Sequence, residues 1–118
     1  MSIRQEKFAS LLQQELATLF LQHRSDMFNG AFITITSVNV SPDLGHAKVY
    51  LSFLQTADKQ ELLNIINLQT KDIRKELAHK IRKQVRVIPE LHFFIDDSLD
   101  YVFKMEKLFD ELKKKDGK

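Results

Sequence analysis

Hydrophobic residues recur along this chain with two different periods, and the places where the period changes mark its elements. Phe8, Leu11, Leu12, Leu16, Leu19 and Phe20 follow three- and four-residue spacing, with Gln13, Gln14 and Glu15 on the other side. This predicts an amphipathic helix that stops near His23 and Arg24, followed by a loop over Ser25–Gly30. Phe32 to Val40 is rich in β-branched residues, but Ile33 and Ile35 keep one alternation phase and Val38 and Val40 the other. A bulge near Thr36 or Ser37 reconciles them. Ser41-Pro42-Asp43-Leu44-Gly45 reads as a reverse turn, with Pro42 fixing one φ and Gly45 free to take a positive one. Its partner strand, Ala47 to Leu54, alternates Ala47, Val49, Leu51 and Phe53 against Lys48, Tyr50 and Ser52, one face buried and the other polar.

Asp58 with Glu61 three residues on predicts a capping box that opens a long helix. Leu62, Leu63, Ile66, Ile73, Leu77 and Ile81 share one stripe, and no Gly or Pro lies between Asp58 and Ile88. Sharp kinks need an identifiable local cause, so the expectation is a nearly continuous helix that bends gently around Gln69 to Lys71. A third strand over Leu91–Ile95 points Leu91, Phe93 and Ile95 one way and His92 and Phe94 the other. Asp97 or Ser98 then caps a final helix with Val102, Met105, Phe109 and Leu112 as its apolar stripe. Helices before, between and after three strands indicate an α+β domain with helices on one face of a small sheet. The expected organisation is one domain over residues 1–112 and a disordered basic tail over 113–118.

Composition narrows the chemistry. At 118 residues the chain is one domain that buries roughly two-thirds of its unfolded surface and needs no staple. It has no cysteine, which excludes disulfides, thiolate metal sites and a cysteine nucleophile. Arg4, Glu6, Lys7 and Glu15 run through the N-terminal segment, so it reads as neither signal peptide nor membrane span, and the expected location is cytoplasmic. His23, His46, His79 and His92 are scattered over four elements with no pair at metal-ligand spacing, and no metal is expected. Asp96 and Asp97 adjoin, but neighbours in an extended segment point apart, so helix capping is the better reading than a carboxylate dyad or a nuclease metal site. There is no GxGxxG or GxxxxGK to cradle a nucleotide. No catalytic residue, cofactor or small-molecule substrate is expected.

Charge is placed rather than spread. Lys71 to Arg86 carries seven Lys and Arg against Asp72 and Glu76, a net +5 in a chain whose total is +2. On a helix continued through this stretch, at about 100° per residue, Lys71, Lys75, Arg82 and Arg86 fall within one quadrant, flanked by His79 and Lys83. Ile73, Leu77 and Ile81 fall on another side. A helix with an apolar side and a row of cations suits a phosphate-lined partner, against the plainer reading of a solvated face. The expected phosphate contacts are Lys71, Lys75, Arg82, Lys83 and Arg86, with Arg74, Lys80 and Lys48 beside them. Tyr50 and Phe94 on the open face of the sheet are able to stack bases, although packing beneath the final helix is the favoured reading.

The hairpin ITITSVNVSPDLGHAKVYLSFL, the later IRKELAHKIRKQVRVIPELHFFIDDSLD and the N-terminal KFASLLQQELATLF together resemble the bacterial ribosome-binding factor A family, from about Arg4 to about Leu108. The most specific parts are Val40-Ser41-Pro42-Asp43-Leu44 leading to Ala47-Lys48-Val49-Tyr50, and Pro89-Glu90-Leu91 leading to Phe93, Asp96 and Ser98. The resemblance implies a type II KH-like fold of order α-β-β-α-α-β plus a C-terminal helix. It also implies a monomeric, non-catalytic factor that binds the small (30S) ribosomal subunit, assists its late maturation and processing of the 5′ end of 16S rRNA, and supports growth in the cold. Arg82 and Arg86 match basic positions in that family. Two features differ. No GxxG loop lies between helices, the glycines being Gly30, Gly45 and Gly117, so a sequence-reading RNA clamp is not expected. Members commonly carry Ala-x-Gly at an interhelical kink, where this chain has Gln69-Thr70-Lys71. A function of another class, a module that docks on a ribosomal or maturation protein without touching RNA, is separated from RNA binding by salt dependence, because only phosphate contacts release counterions.

Overall fold

The computed structural model describes residues 2–54 and 58–96. Helix α1 (Ile3–Gln22) starts at Ser2, whose hydroxyl accepts from the Gln5 N–H while the Gln5 side chain accepts from the Ser2 N–H. This reciprocal capping box is readable in the sequence as Ser-x-x-Gln ahead of an apolar run. Phe8, Leu12, Leu16, Leu19 and Phe20 are buried as the periodicity predicts. Two glutamines of the helix also reach the sheet. The Gln5 amide donates to Val40 O at 2.8 Å and that of Gln13 to Ile35 O at 3.2 Å. Both carbonyls belong to strand β1 (Phe32–Val40), which is a sheet edge, so α1 supplies partners along an edge that would otherwise be open to pairing.

Strands β1, β2 (His46–Leu54) and β3 (Glu90–Ile95) form one sheet in the order β1-β2-β3, antiparallel between β1 and β2 and parallel between β2 and β3. The register shifts between Ile35 and Ser37, which makes Thr36 the extra residue of the expected bulge. That shift brings Ile35, Val38 and Val40 onto the same face as Ala47, Val49, Leu51, Phe53, Leu91 and Phe93, and the helices cover this face in a single core. Phe20 stands edge-on to both Phe28 and Phe93, at 5.1 and 6.1 Å between ring centres, and so joins α1, the following loop and β3. Ser52, expected on the polar face, is buried; its small side chain sits on the central strand opposite Thr34.

The hairpin turn forms as expected, but the residue with positive φ is Leu44, at 61°, and not Gly45. Side-chain bonding outweighs the glycine preference here. The Asp43 carboxylate accepts from the Ser41 hydroxyl at 2.6 Å and from the Gly45 N–H at 3.0 Å, and the Ser41 hydroxyl accepts from the His46 N–H at 3.0 Å.

The continuous helix does not form. Helix α2 (Lys59–Leu68) and helix α3 (Thr70–Ile81) are separated by Gln69, which has φ −103° and ψ 7°. No Gly or Pro causes the break; side chains stabilise it. The Gln69 amide donates to Met27 O at 2.7 Å and Ile65 O at 3.3 Å, and the Thr70 hydroxyl donates to Ile66 O at 3.3 Å, so carbonyls near the end of α2 have partners. The bond to Met27 is long-range, and tertiary packing therefore overrides a locally favourable helix. At the start of α2 only half the predicted capping box is present, the Asp58 carboxylate accepting from the Glu61 N–H at 3.0 Å.

Helix α3 also ends at Ile81, earlier than the row of cations requires. Val85 and Ile88 turn back onto the core and Pro89 is fully buried, so the chain must leave the helix to place them. Among the described residues no helix is long and apolar enough to cross a membrane. The final helix expected around Val102 to Leu112, its cap at Asp97 or Ser98, and the 113–118 tail lie outside the described residues.

Candidate nucleic-acid interface

Ile73, Leu77 and Ile81 are fully buried, and that fixes the rotation of α3. Lys71 and Lys75, one turn apart, are thereby held outside and exposed. Arg82 caps the helix with φ −59° and ψ −24° and donates its N–H to Ala78 O, so it continues the helical path by one residue and extends the same row. Lys83 is exposed in the turn that follows, and Arg86 lies in the loop beyond. Arg86 therefore does not complete the quadrant that an unbroken helix predicts. It lines a separate cleft of about 500 Å³ with Arg4 and Lys7 from the first turns of α1. Phe8, Leu11, Leu44, Val85 and Val87 give this cleft an apolar lining, and Asp43 is its one carboxylate among the described residues. Arg4 and Lys7 were not among the expected contacts; their spacing of three residues on one helix face was the signal.

The other expected contacts are placed differently. Arg74 turns its guanidinium to the loop before β3, Nε donating to Pro89 O at 3.0 Å and an Nη to Ile88 O at 2.7 Å. Lys80, half-buried, donates to the Gln22 side chain at 3.1 Å and links α3 to the end of α1. Lys48 is exposed on β2 with Ala47 and Val49 in the core on either side, so it belongs to the open face of the sheet. Among the described residues, no ion pair or hydrogen bond holds the side chains of Lys71, Lys75, Arg82, Lys83 or Arg86.

Acidic neighbours decide how positive the α3 face is. Glu76 is turned toward His23, whose Nε2 lies 2.7 Å away, while the other ring nitrogen is 3.0 Å from Asp26. With a carboxylate at each nitrogen the ring is stabilised as an imidazolium. The hydrogen bonds to Asp26 and then Glu76 raise the His23 pKa above its ordinary 6.5, and the same contact lowers that of Asp26. Of the two acids in the basic stretch, this leaves Asp72 beside Lys71 and Lys75.

The open face of the sheet carries a second set of polar and aromatic groups. Tyr50 and Phe94, opposite one another on β2 and β3, stack at 5.4 Å between ring centres. The helix expected to cover them lies outside the described residues. His46 and His92, far apart in sequence, come together on the same face, their rings 5.5 Å apart with a nitrogen–nitrogen distance of 3.3 Å.

This order of elements, with two strands joined in a hairpin, a broken helix pair and a parallel third strand, defines a small KH-like domain of the type II order. The model of the ribosome-binding factor A family matches residues 4–109. The chain is 44% identical to the ribosome-binding factor A of Cytophaga hutchinsonii over 111 residues, 94% of this chain and 84% of that protein. It belongs to the ribosome-binding factor A family. The crystal structure of ribosome-binding factor A from Thermus thermophilus superposes with a TM-score of 0.65 at 18% identity, covering 77% of this chain and 94% of that one. A homology model of a Thermus thermophilus ribosome-binding factor A, fitted into a cryo-EM map of its 30S complex, gives a TM-score of 0.58 at 20% identity, covering 73% and 88%. These two share the fold, and the order α-β-β-α-α-β expected from the family resemblance is the one observed among the described residues.

Proposed function

We propose that this chain is a non-catalytic factor that binds the small ribosomal subunit in the cytoplasm as a monomer, through 16S rRNA, and assists late maturation of the subunit. Processing of the 5′ end of 16S rRNA and growth in the cold are the steps this reading assigns to it. The observation that carries it is the group of five cations, Lys71, Lys75, Arg82, Lys83 and Arg86, whose side chains have no partner among the described residues. Arg4 and Lys7 extend the group around the cleft that Arg86 lines. Cations held outward by buried neighbours are positioned for phosphate without reorganisation of the fold. Membership in a family named for ribosome binding and the 30S complex of the Thermus thermophilus relative supply the partner. Lys48, Arg74 and Lys80 stand second, since Arg74 and Lys80 already serve the fold.

Sucrose-gradient co-sedimentation with purified small subunits, repeated over a series of salt concentrations, tests the proposal. The protein is expected to travel with the subunit at low salt and to leave it steeply as salt rises. Protein that stays at the top at every salt concentration removes the proposal. Co-sedimentation indifferent to salt assigns the contact to a docked protein instead of RNA.

A further inference from the structure

We propose that His46, Glu90 and His92 form a binding site for a divalent transition-metal ion of the zinc class on the open face of the sheet. The three residues come from two strands and are joined by the parallel register, which places His46 opposite Glu90 and Lys48 opposite His92. Because side chains two apart on a strand share a face, Glu90 and His92 project to the side on which His46 stands. His46 Nδ1 lies 3.3 Å from His92 Nε2 and 3.5 Å from Glu90 Oε2, and Glu90 Oε2 lies 4.0 Å from His92 Nε2. Tetrahedral coordination with metal–nitrogen bonds of about 2.0–2.1 Å requires ligand atoms about 3.3–3.4 Å apart. The two nitrogens already stand at that separation, and a small rotation of the exposed Glu90 closes the third edge.

The backbone beneath the site is tied down before any ion arrives. The His46 N–H donates to the Ser41 hydroxyl at 3.0 Å, its carbonyl accepts from the Ser41 N–H at 2.9 Å, and the Glu90 N–H donates to Gly45 O at 2.9 Å. A site carried by paired strands keeps its geometry better than one on a free loop. Two imidazoles and one carboxylate suit zinc, cobalt, nickel or copper, whereas magnesium and calcium prefer oxygen alone. All three residues are exposed, so a fourth position stays open to water. Glu90 and the nearby Asp43 favour a cation there, and Lys48 across from His92 opposes it. The site is on the face away from the α3 cations and does not depend on subunit binding.

The test is calorimetric titration of the full, chelator-stripped chain with zinc chloride in neutral buffer, beside the visible absorption of added Co²⁺. The expected results are one ion bound per chain and the absorption of tetrahedral cobalt. H46Q/H92Q should weaken binding by about 10- to 100-fold or more, while H23Q/H79Q should leave it unchanged. Histidine ring NMR on the unaltered protein gives an answer that needs no substitution, because zinc must shift Nδ1 of His46 and Nε2 of His92. No one-to-one binding, equal affinity in H46Q/H92Q, or ring shifts confined to His23 or His79 each overturns the proposal.

Discussion

Arg74 and Arg82 sit on the same stretch of chain and carry the same charge, yet they do opposite work. The guanidinium of Arg74 is occupied by two backbone carbonyls and pins the loop before β3 to α3. That of Arg82 continues the outward row begun by Lys71 and Lys75, with no partner among the described residues. A count of basic residues treats the two alike. What separates them is whether the side chain meets carbonyls left without partners by a loop, which capture a fork of N–H donors. Charge density in a sequence therefore bounds the number of phosphate contacts from above, and tertiary structure removes some of them.

The sharpest way to break this contrast is to remove the outward cations together. Replacing Lys71, Lys75, Arg82 and Arg86 by Gln should flatten the salt dependence of subunit binding by roughly one unit of slope per contact, about three to four in all, with the thermal melt unchanged. An unaltered slope would return that face to plain solvation. Splitting the variant sharpens the picture further, because Lys71, Lys75 and Arg82 form one row while Arg86 shares its cleft with Arg4 and Lys7. If only one cluster lies on RNA, one half of the split carries most of the change.

Arg74→Ala should do the reverse. Charge-assisted hydrogen bonds contribute about 1.5–3 kcal/mol, so denaturant unfolding should register a loss of that order. Subunit binding corrected for the unfolded fraction should change little. Full stability with weakened binding would move Arg74 into the outward class.

On the open face, alanine at Tyr50 or Phe94 removes an aromatic pair contributing roughly 0.5–1.5 kcal/mol beyond its buried area. The expectation is a lowered melting temperature with binding retained. Weakened RNA affinity at an unchanged melt would instead make these rings a platform for bases.

The smallest effect concerns His23. A folded-state pKa above the ordinary 6.5 means that the contribution of the imidazolium is fully present below that value and is lost as pH rises through the raised pKa. The lowered pKa of Asp26 acts at the other end, its share being lost as pH falls through that value. H23Q should therefore be destabilised most in mildly acid solution and match the parent in alkaline solution. A difference that is constant with pH would show that His23 acts by packing alone.

Local rules account for most of the fold. Apolar periodicity marked α1, the three strands and the buried side of α2 and α3, because burying those side chains dominates the folding free energy. The phase slip in Phe32–Val40 placed a bulge near Thr36 or Ser37, since an extra residue returns Val38 and Val40 to the covered face, and the strand register settles it at Thr36. Outward Lys71, Lys75 and Arg82 were equally legible, because the buried positions of a helix determine which positions are exposed.

Tertiary structure decided what depends on partners distant in the chain. The break at Gln69 rests on a bond to Met27, the early end of α3 on the pull of Val85, Ile88 and Pro89 into the core, and the role of Arg74 on carbonyls fourteen and fifteen residues away. The meeting of His46 with Glu90 and His92 follows from the parallel pairing of β2 and β3, neighbours in the sheet that α2 and α3 separate in sequence. Periodicity reports which face of an element is covered, because that is a property of neighbouring residues. It carries no record of which residue of another element will stand opposite, and every site on this protein that joins two elements was settled there.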